Sequence, residues 1–124
     1  MFAFMLAPLL AFTGCGLFLS AEDNWEGTCI ANGQAAEGVL DISDDQGGDL
    51  KGDLTLTFSG QTLFMQGDGT RDGTEIDMDF MLTVSGYSVP TTFKGEMDGD
   101  DITGVWRLTQ SGYTSSAECD FSRD

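Results

Sequence analysis

The sequence predicts an all-β protein, an eight-stranded antiparallel up-and-down meander that closes into a small barrel. Turn signals recur every ten to fourteen residues through the body of the 124-residue chain, which is typical of short strands joined by tight turns. Between the turns, apolar and polar residues alternate with a period of two, as expected for strands with one buried face. A cysteine on the first strand and another on the last suit a seam between those two strands.

The N-terminal segment, residues 1–21, carries no charged side chain, and Glu22 is the first charge of the chain. Such a stretch is typical of a targeting segment. Within it, Phe12-Thr13-Gly14-Cys15 resembles the lipobox of bacterial lipoproteins, whose cysteine is diacylated and becomes the mature N-terminus. The resemblance implies lipidation of Cys15 and a leader with a short tether over residues 1–21. The strand pattern of the rest of the chain then predicts one barrel domain over residues 22–124. By the same resemblance, Gly16 after the cysteine favours the outer membrane.

Two other interpretations of this segment stay open. Leu19-Ser20-Ala21 is a small-residue site at which an ordinary secretory leader could be cut, which would release the domain to the periplasm or the exterior. An uncleaved anchor is the third, because about twenty apolar residues suffice to span a bilayer. All three interpretations export the domain from the bacterial cytoplasm.

The cysteine count agrees with export. With Cys15 set aside, Cys29 and Cys119 form an even pair in an oxidising compartment, so a disulfide between them is expected. Cys29 shares the inward parity of Trp25 on the first strand, and Cys119 that of Phe121 on the last. Both thiols therefore point to the same side of the predicted seam, which supports closure of the sheet.

Seven turn signals divide the body into eight strands. They are Asn32-Gly33, Gln46-Gly47-Gly48, Ser59-Gly60, Asp72-Gly73, Ser85-Gly86, Asp98-Gly99 and Ser111-Gly112. Two-residue loops then predict which residues face one another across each hairpin.

The predicted register brings apolar residues together on one face and glycines opposite glycines. The loop at Ser59-Gly60 pairs Leu56 with Leu63, Leu54 with Met65, Gly52 with Gly67, Thr57 with Thr62 and Lys51 with Asp68. The loop at Asp72-Gly73 pairs Leu63 with Leu82, Met65 with Phe80, Gly67 with Met78, Phe64 with Met81 and Asp68 with Asp77. The remaining pairs are Met97 with Ile102, Gly95 with Gly104, Phe93 with Trp106, and Gly27 with Gly38.

The body resembles the calycin-type barrels, the lipocalins and avidins, in outline. Asn24-Trp25-Glu26-Gly27-Thr28 is similar to their first strand, and Trp106-Arg107-Leu108-Thr109-Gln110-Ser111-Gly112 is similar to a late avidin strand. The resemblance implies a small closed barrel with an interior that can hold a ligand. It does not imply biotin binding, because the several binding-site tryptophans of avidins have no counterparts.

The composition excludes several classes of function. The chain has 5 Lys plus Arg, 21 Asp plus Glu and no His, for a net charge of −16, so nucleic acid is not an expected partner. Without histidine, and with no carboxylate pair at an inward position, we expect no enzymatic activity and no cofactor. No metal site is expected either, because the acids at Asp68 and Asp77 and in the turn Asp98-Gly99-Asp100-Asp101 form only partial ligand sets.

Two functions remain. The preferred hypothesis is a lipid-anchored barrel that binds a small apolar ligand among inward residues next to the glycine pairs: Trp25, Met65, Met78, Phe80, Phe93, Met97 and Trp106. The glycine pairs have a simpler explanation, since a small barrel needs sharp coiling. The alternative function is a non-catalytic envelope interaction or structural module with a filled barrel and an acidic outer surface. Phe64 and Met81, two apolar residues on the outer face, are its candidate partner patch.

Overall fold

Eight antiparallel strands form the wall of a closed barrel in the computed structural model, which describes residues 20–84, 86–110 and 112–123. The strands are β1 (Asp23–Ala31), β2 (Gln34–Asp44), β3 (Asp49–Phe58), β4 (Gln61–Asp72), β5 (Glu75–Val84), β6 (Tyr87–Asp98), β7 (Asp101–Gln110) and β8 (Tyr113–Ser122). Each strand pairs with its neighbours in sequence, and β1 pairs with β8. The predicted fold class is therefore confirmed. None of the described residues forms a helix long and apolar enough to cross a membrane.

Tight turns with left-handed backbone set the hairpins. Asn32 and Gly33 have φ angles of 52° and 77°, and Ser59 and Gly60 have φ angles of 48° and 76°. Two successive positive φ angles are the mark of a type I′ turn, whose twist matches that of the two strands it joins. These two-residue loops fix the register of β1 on β2 and of β3 on β4.

The register predicted for three of the hairpins is confirmed. The β3–β4 pairs are Leu56 with Leu63, Leu54 with Met65, Gly52 with Gly67, Thr57 with Thr62 and Lys51 with Asp68. The β6–β7 pairs include Phe93 with Trp106, Gly95 with Gly104 and Met97 with Ile102, and the β1–β2 pairs include Gly27 with Gly38. Each glycine of these pairs faces another glycine on the inward side.

The register predicted between β4 and β5 is wrong by two residues. The loop consists of Gly73 and Thr74, not Asp72 and Gly73. Leu82 therefore opposes Met65 instead of Leu63, Phe80 opposes Gly67 instead of Met65, and Met78 opposes Gly69 instead of Gly67. A shift of two residues leaves every side chain on the same face, so the alternation could not detect it. A glycine at positive φ can take the first position of a two-residue loop as well as the second, and here it takes the first.

The same shift corrects two predicted pairs on the outer face. Met81 opposes Gln66, so Phe64 and Met81 do not face each other directly. Asp68 opposes Asp79, not Asp77. Asp77 instead has Lys94 as its partner on β6, with 3.8 Å between Nζ and the carboxylate.

A disulfide crosses the seam that closes the barrel. Cys29 on β1 lies directly opposite Cys119 on β8, and their sulfurs are bonded, as the sequence predicts. The described structure starts at Ser20, two residues before the predicted start of the barrel domain, and Cys15 lies outside the described residues.

The interior is filled by side chains from all eight strands. Trp25, Phe93 and Phe121 are among the largest fully buried residues, and the rings of Phe93 and Phe121 meet edge to face with 6.0 Å between centroids. Thr91 is a polar residue at an inward position and is 2% exposed. Its hydroxyl donates to the carbonyl of Phe80 over 3.4 Å, so the buried polar group is satisfied.

Candidate ligand site at the mouth of the barrel

The two ends of the barrel differ in construction. At one end, here called the mouth, lie the four hairpin turns that follow β1, β3, β5 and β7. At the other, here called the closed end, lie residues 20–22, the loop 45–48, the turns 73–74 and 99–100, and Arg123. This difference follows from the up-and-down topology, which brings the start of β1 and the end of β8 to one end.

Ala21 plugs the closed end. It is fully buried as part of the core cluster, although it lies before the first strand. Its amide donates to Oδ2 of Asp44 over 2.8 Å, and its carbonyl accepts a bond of 2.9 Å from Nε1 of Trp25. Both backbone polar groups of this residue are thus used inside the barrel.

An ion pair between Arg71 and Asp44 lies next to Ala21. Nε of Arg71 donates to Oδ2 of Asp44 over 2.7 Å, and the two side chains are 8% and 0% exposed. The amide of Gln46 donates to Oδ1 of the same carboxylate over 2.7 Å. Burial raises the pKa of Asp44, but the amide of Ala21, the Arg71 guanidinium and the amide of Gln46 together hold it below its ordinary value.

Asp44 is thus a carboxylate at an inward position of the barrel. A signal for the pair is present in the sequence. Asp44 shares the inward parity of β2 and Arg71 that of β4. Asp44 is the last residue of β2 and Arg71 the next to last of β4, so both lie at the closed end. Two opposite charges on inward positions at one end of a barrel indicate a buried ion pair.

Arg123 covers the closed end from outside. Its guanidinium lies 4.4 Å from the centroid of the Trp25 ring, a cation–π contact. Nη1 donates to the carbonyl of Ser20 over 2.9 Å, and Nε donates to Oδ1 of Asp100 over 3.2 Å. The end that holds the chain termini is therefore sealed by side chains.

The mouth contains a cavity of about 170 Å³. Its wall is formed by Cys29, Ala31, Gln34, Ala36, Leu56, Phe58, Leu63, Trp106, Ser115 and Ala117. The space exists because three inward positions near the mouth, on β1, β2 and β8, carry only alanine. The polar residues of the wall are Gln34, whose Nε2 donates to the Ser59 hydroxyl over 3.1 Å, and Ser115.

The size and lining of this cavity limit what it can hold. A cavity of about 150 Å³ lined by apolar side chains accommodates a benzene ring, whereas drug-sized ligands occupy roughly 300 to 1,000 Å³. The mouth can therefore take one aromatic ring or a short alkyl chain. Because it opens to solvent, a longer molecule can extend outward.

Trp106, one of the residues of this wall, carries an unpaired polar group. The residue is 8% exposed, and its indole N–H is buried without a hydrogen-bond partner. Buried donors in proteins are nearly always paired, so an unpaired one needs an explanation.

The structure buries all seven residues predicted to line a ligand site, but it does not gather them around one cavity. They belong to the same core cluster: Trp25, Met65, Met78, Phe80, Phe93, Met97 and Trp106. Trp106 lines the mouth cavity, and Trp25 lies under the plug at the closed end. Their role in binding stays a prediction.

The inward glycines accommodate close approaches between parts of the barrel. A Cβ on Gly67 would lie 1.8 Å from the carbonyl oxygen of Asp79, and a Cβ on Gly38 would lie 2.8 Å from the Phe121 ring. Neither glycine lines the mouth cavity. The sharp coiling of the wall thus explains the glycine pairs, and the cavity comes from the small side chains at the mouth.

The outer face carries the other candidate residues. Phe64 and Met81 are 50% and 47% exposed, so both are accessible, and their role as a partner patch stays a prediction. Among the described residues, no group of three or more His, Cys, Asp or Glu side chains could hold a metal ion.

No family model and no curated protein matches the chain. Seven chains of solved structures are similar to it, and three of them are described here. The structure of EF1p2_mFAP2b bound to DFHBI has a TM-score of 0.70 at 15% identity and covers 83% of this chain and 93% of that chain. The redesigned beta barrel mFAP1, bound to DFHBI, has a TM-score of 0.65 at 16% identity and covers 82% and 94%. The redesigned beta barrel b11L5F_LGL has a TM-score of 0.64 at 16% identity and covers 83% and 90%. At these identities the similarity establishes the fold alone.

Proposed function

We propose that the chain is an exported, lipid-anchored barrel that binds a small, neutral, apolar ligand at its mouth. The observation that carries the proposal is the mouth cavity, an apolar space of about 170 Å³ open at one end of a barrel that is sealed at the other. The similar barrels solved with DFHBI bound support the proposal, because they are small-molecule complexes of the same fold.

The chemistry of the wall narrows the class of ligand. A net charge of −16 disfavours anionic molecules such as fatty acids, so a neutral molecule is expected. The unpaired indole N–H of Trp106 favours a ligand that carries a hydrogen-bond acceptor beside its apolar part. A single-ring ketone or a short alkyl ketone has both features.

The expected affinity is modest. Burying six carbons at about 0.8 kcal/mol each contributes about 5 kcal/mol, which corresponds to a Kd of roughly 0.2 mM. Physiological ligands that extend from the mouth would gain further contacts. A screen should therefore use millimolar concentrations of small probes.

The proposal is tested by titrating the ¹⁵N-labelled mature protein with toluene and with acetophenone, which adds a carbonyl acceptor. Shifts should concentrate on Ala31, Ala36, Ala117 and the Trp106 indole N–H, and acetophenone should bind more tightly. Ala117→Leu adds three carbons to the cavity and should weaken binding at least tenfold. Ser116→Leu places the same side chain at the neighbouring exposed position and should leave binding unchanged.

Absence of binding at 10 mM acetophenone, on the order of fifty times the expected Kd, would refute the ligand proposal. Shifts spread over the outer face would do the same. Either result would favour the alternative function, an envelope interaction module whose acidic exterior and apolar pair Phe64 and Met81 contact a partner.

The lipid anchor needs its own test, because Cys15 lies outside the described residues. Cells expressing the full chain should incorporate an alkynyl palmitate into the protein, and Cys15→Ser should abolish the label. Label that persists in the variant would refute lipidation at this cysteine.

A further inference from the structure

Ser20 and Ala21 make contacts that other parts of the barrel need. The Ala21 carbonyl is the acceptor for the Trp25 indole N–H, and the Ala21 amide is one of the donors to the buried Asp44 carboxylate. The Ser20 carbonyl accepts from Arg123 at the far end of the chain. These bonds join the start of the barrel to β1, β2 and the C-terminus.

Cutting the chain after Ala21 would remove all of these partners at once. The fully buried Trp25 would lose the acceptor of its indole N–H, and the buried Asp44 carboxylate would lose one of its donors. A buried polar group without a partner is costly, so a barrel that began at Glu22 would be left with a damaged closed end.

We infer that maturation leaves Ser20 and Ala21 on the barrel, so that any leader is removed upstream of Ser20. The inference rests on the proposed export of the chain. It rules out the cleavage site Leu19-Ser20-Ala21 and is compatible with processing at Cys15.

The same contacts determine which end of the barrel faces the membrane. The chain enters the barrel at the closed end, so a lipid on Cys15 is attached from that side. Five residue steps from Cys15 to Ser20 span at most roughly 18 Å. Strands of ten residues tilted by about 40° make a barrel roughly 25 Å long. The tether is therefore too short to run along the barrel and turn the mouth toward its own bilayer.

The anchored barrel thus holds its closed end against the membrane and its mouth toward the aqueous phase. The ligand would then enter from the aqueous phase or from a soluble carrier, and not directly from the bilayer that holds the protein.

Processing is tested by the mass of the mature protein isolated from cell envelopes. The N-terminal peptide should contain Ser20 and Ala21, and an N-terminus at Glu22 would overturn the inference. An unlipidated N-terminus between Gly16 and Ser20 would refute the lipid anchor while upholding retention of the plug. The ligand titration is independent of both results.

Orientation is tested with a fluorophore on one added cysteine in the lipidated protein, reconstituted into phosphatidylcholine vesicles that carry nitroxide headgroups. Gly47→Cys labels the closed end and Gln61→Cys labels the mouth, both at exposed positions. Quenching should be at least twofold stronger at position 47. Equal quenching, or stronger quenching at position 61, would overturn the orientation.

Discussion

Reduction of the Cys29–Cys119 disulfide should destabilise the barrel at its shortest seam. The β1–β8 ladder pairs five residues, whereas every other seam pairs eight to ten. The crosslink lies within this ladder and joins the first strand to the last. Without it, the closure of the barrel depends on the smallest set of strand hydrogen bonds.

The size of the effect follows from the sequence separation of 90 residues. In the chain-entropy treatment, a crosslink over a loop of that length contributes about 4.5 kcal/mol by restricting the unfolded chain. Domains of this size have total stabilities of about 5 to 15 kcal/mol. The disulfide should therefore supply a large share of the free energy of unfolding.

Urea unfolding of the oxidised and the reduced protein, followed by tryptophan fluorescence, measures this contribution. With a urea dependence of roughly 1.5 kcal/mol per molar, the midpoint should fall by about 2 to 3 M on reduction. Reduction keeps both sulfurs in place, whereas Cys29→Ala with Cys119→Ala also removes their packing, so the double variant should be slightly less stable than the reduced protein. A shift below about 0.5 M would refute the reasoning, because it would show that five residue pairs close the seam unaided.

Two further predictions concern the closed end and the wall. Asp44→Asn should lower the free energy of unfolding at pH 7 by about 3 kcal/mol, because it leaves the buried guanidinium of Arg71 without its charge partner. Asp53→Asn, on the outer face, should have little effect. Because the pKa of Asp44 is lowered in the folded protein, its ionised carboxylate stabilises the fold. This stabilisation is fully present at pH values above the ordinary aspartate pKa of about 3.9, and it is lost as the pH falls below that value. The difference in the free energy of unfolding between wild type and Asp44→Asn, measured by urea titration, should therefore be smaller at pH 3 than at pH 7. An equal difference at both pH values would contradict this. Gly67→Ala should lower the free energy of unfolding by at least about 2 kcal/mol in the same assay, because its Cβ would overlap the Asp79 carbonyl. Gly47→Ala, whose Cβ would have no atom closer than 3.4 Å, should change it by less than about 0.5 kcal/mol. Equal costs for the two variants would refute the packing argument.

The fold could be predicted because its signals are local and repeated. Turn glycines recur every 13 residues from Gly60 to Gly112, and each strand between them has one apolar face. Register was predicted correctly at Ser59 and Gly60, where both loop residues have positive φ, and also between β6 and β7, where Gly99 is the first loop residue. It was not predictable at Gly73, where moving the loop by one position shifts the pairing by two residues and leaves both faces unchanged.

The candidate site was harder to predict, because it depends on side-chain volume at one end of the barrel. Parity identifies Ala31, Ala36 and Ala117 as inward, but only the assembled barrel brings them to the same level. The glycine pairs are strong local signals and favoured a cavity beside them, yet the space over them is taken by backbone and by ring side chains such as Phe121. A missing side chain in a strand therefore indicates a close approach at least as readily as a cavity.

The location of the cavity follows from how an up-and-down barrel ends. The start of β1 and the end of β8 lie at one end, so residues next to these strands are available there to cover the interior, and Ala21 and Arg123 do so. The opposite end has only two-residue turns, which are too short to fold inward. The interior at this end is therefore filled only by the side chains of the strands, and the small side chains of three alanines leave part of it empty. The sealed end and the ligand-sized mouth are therefore two consequences of one topology.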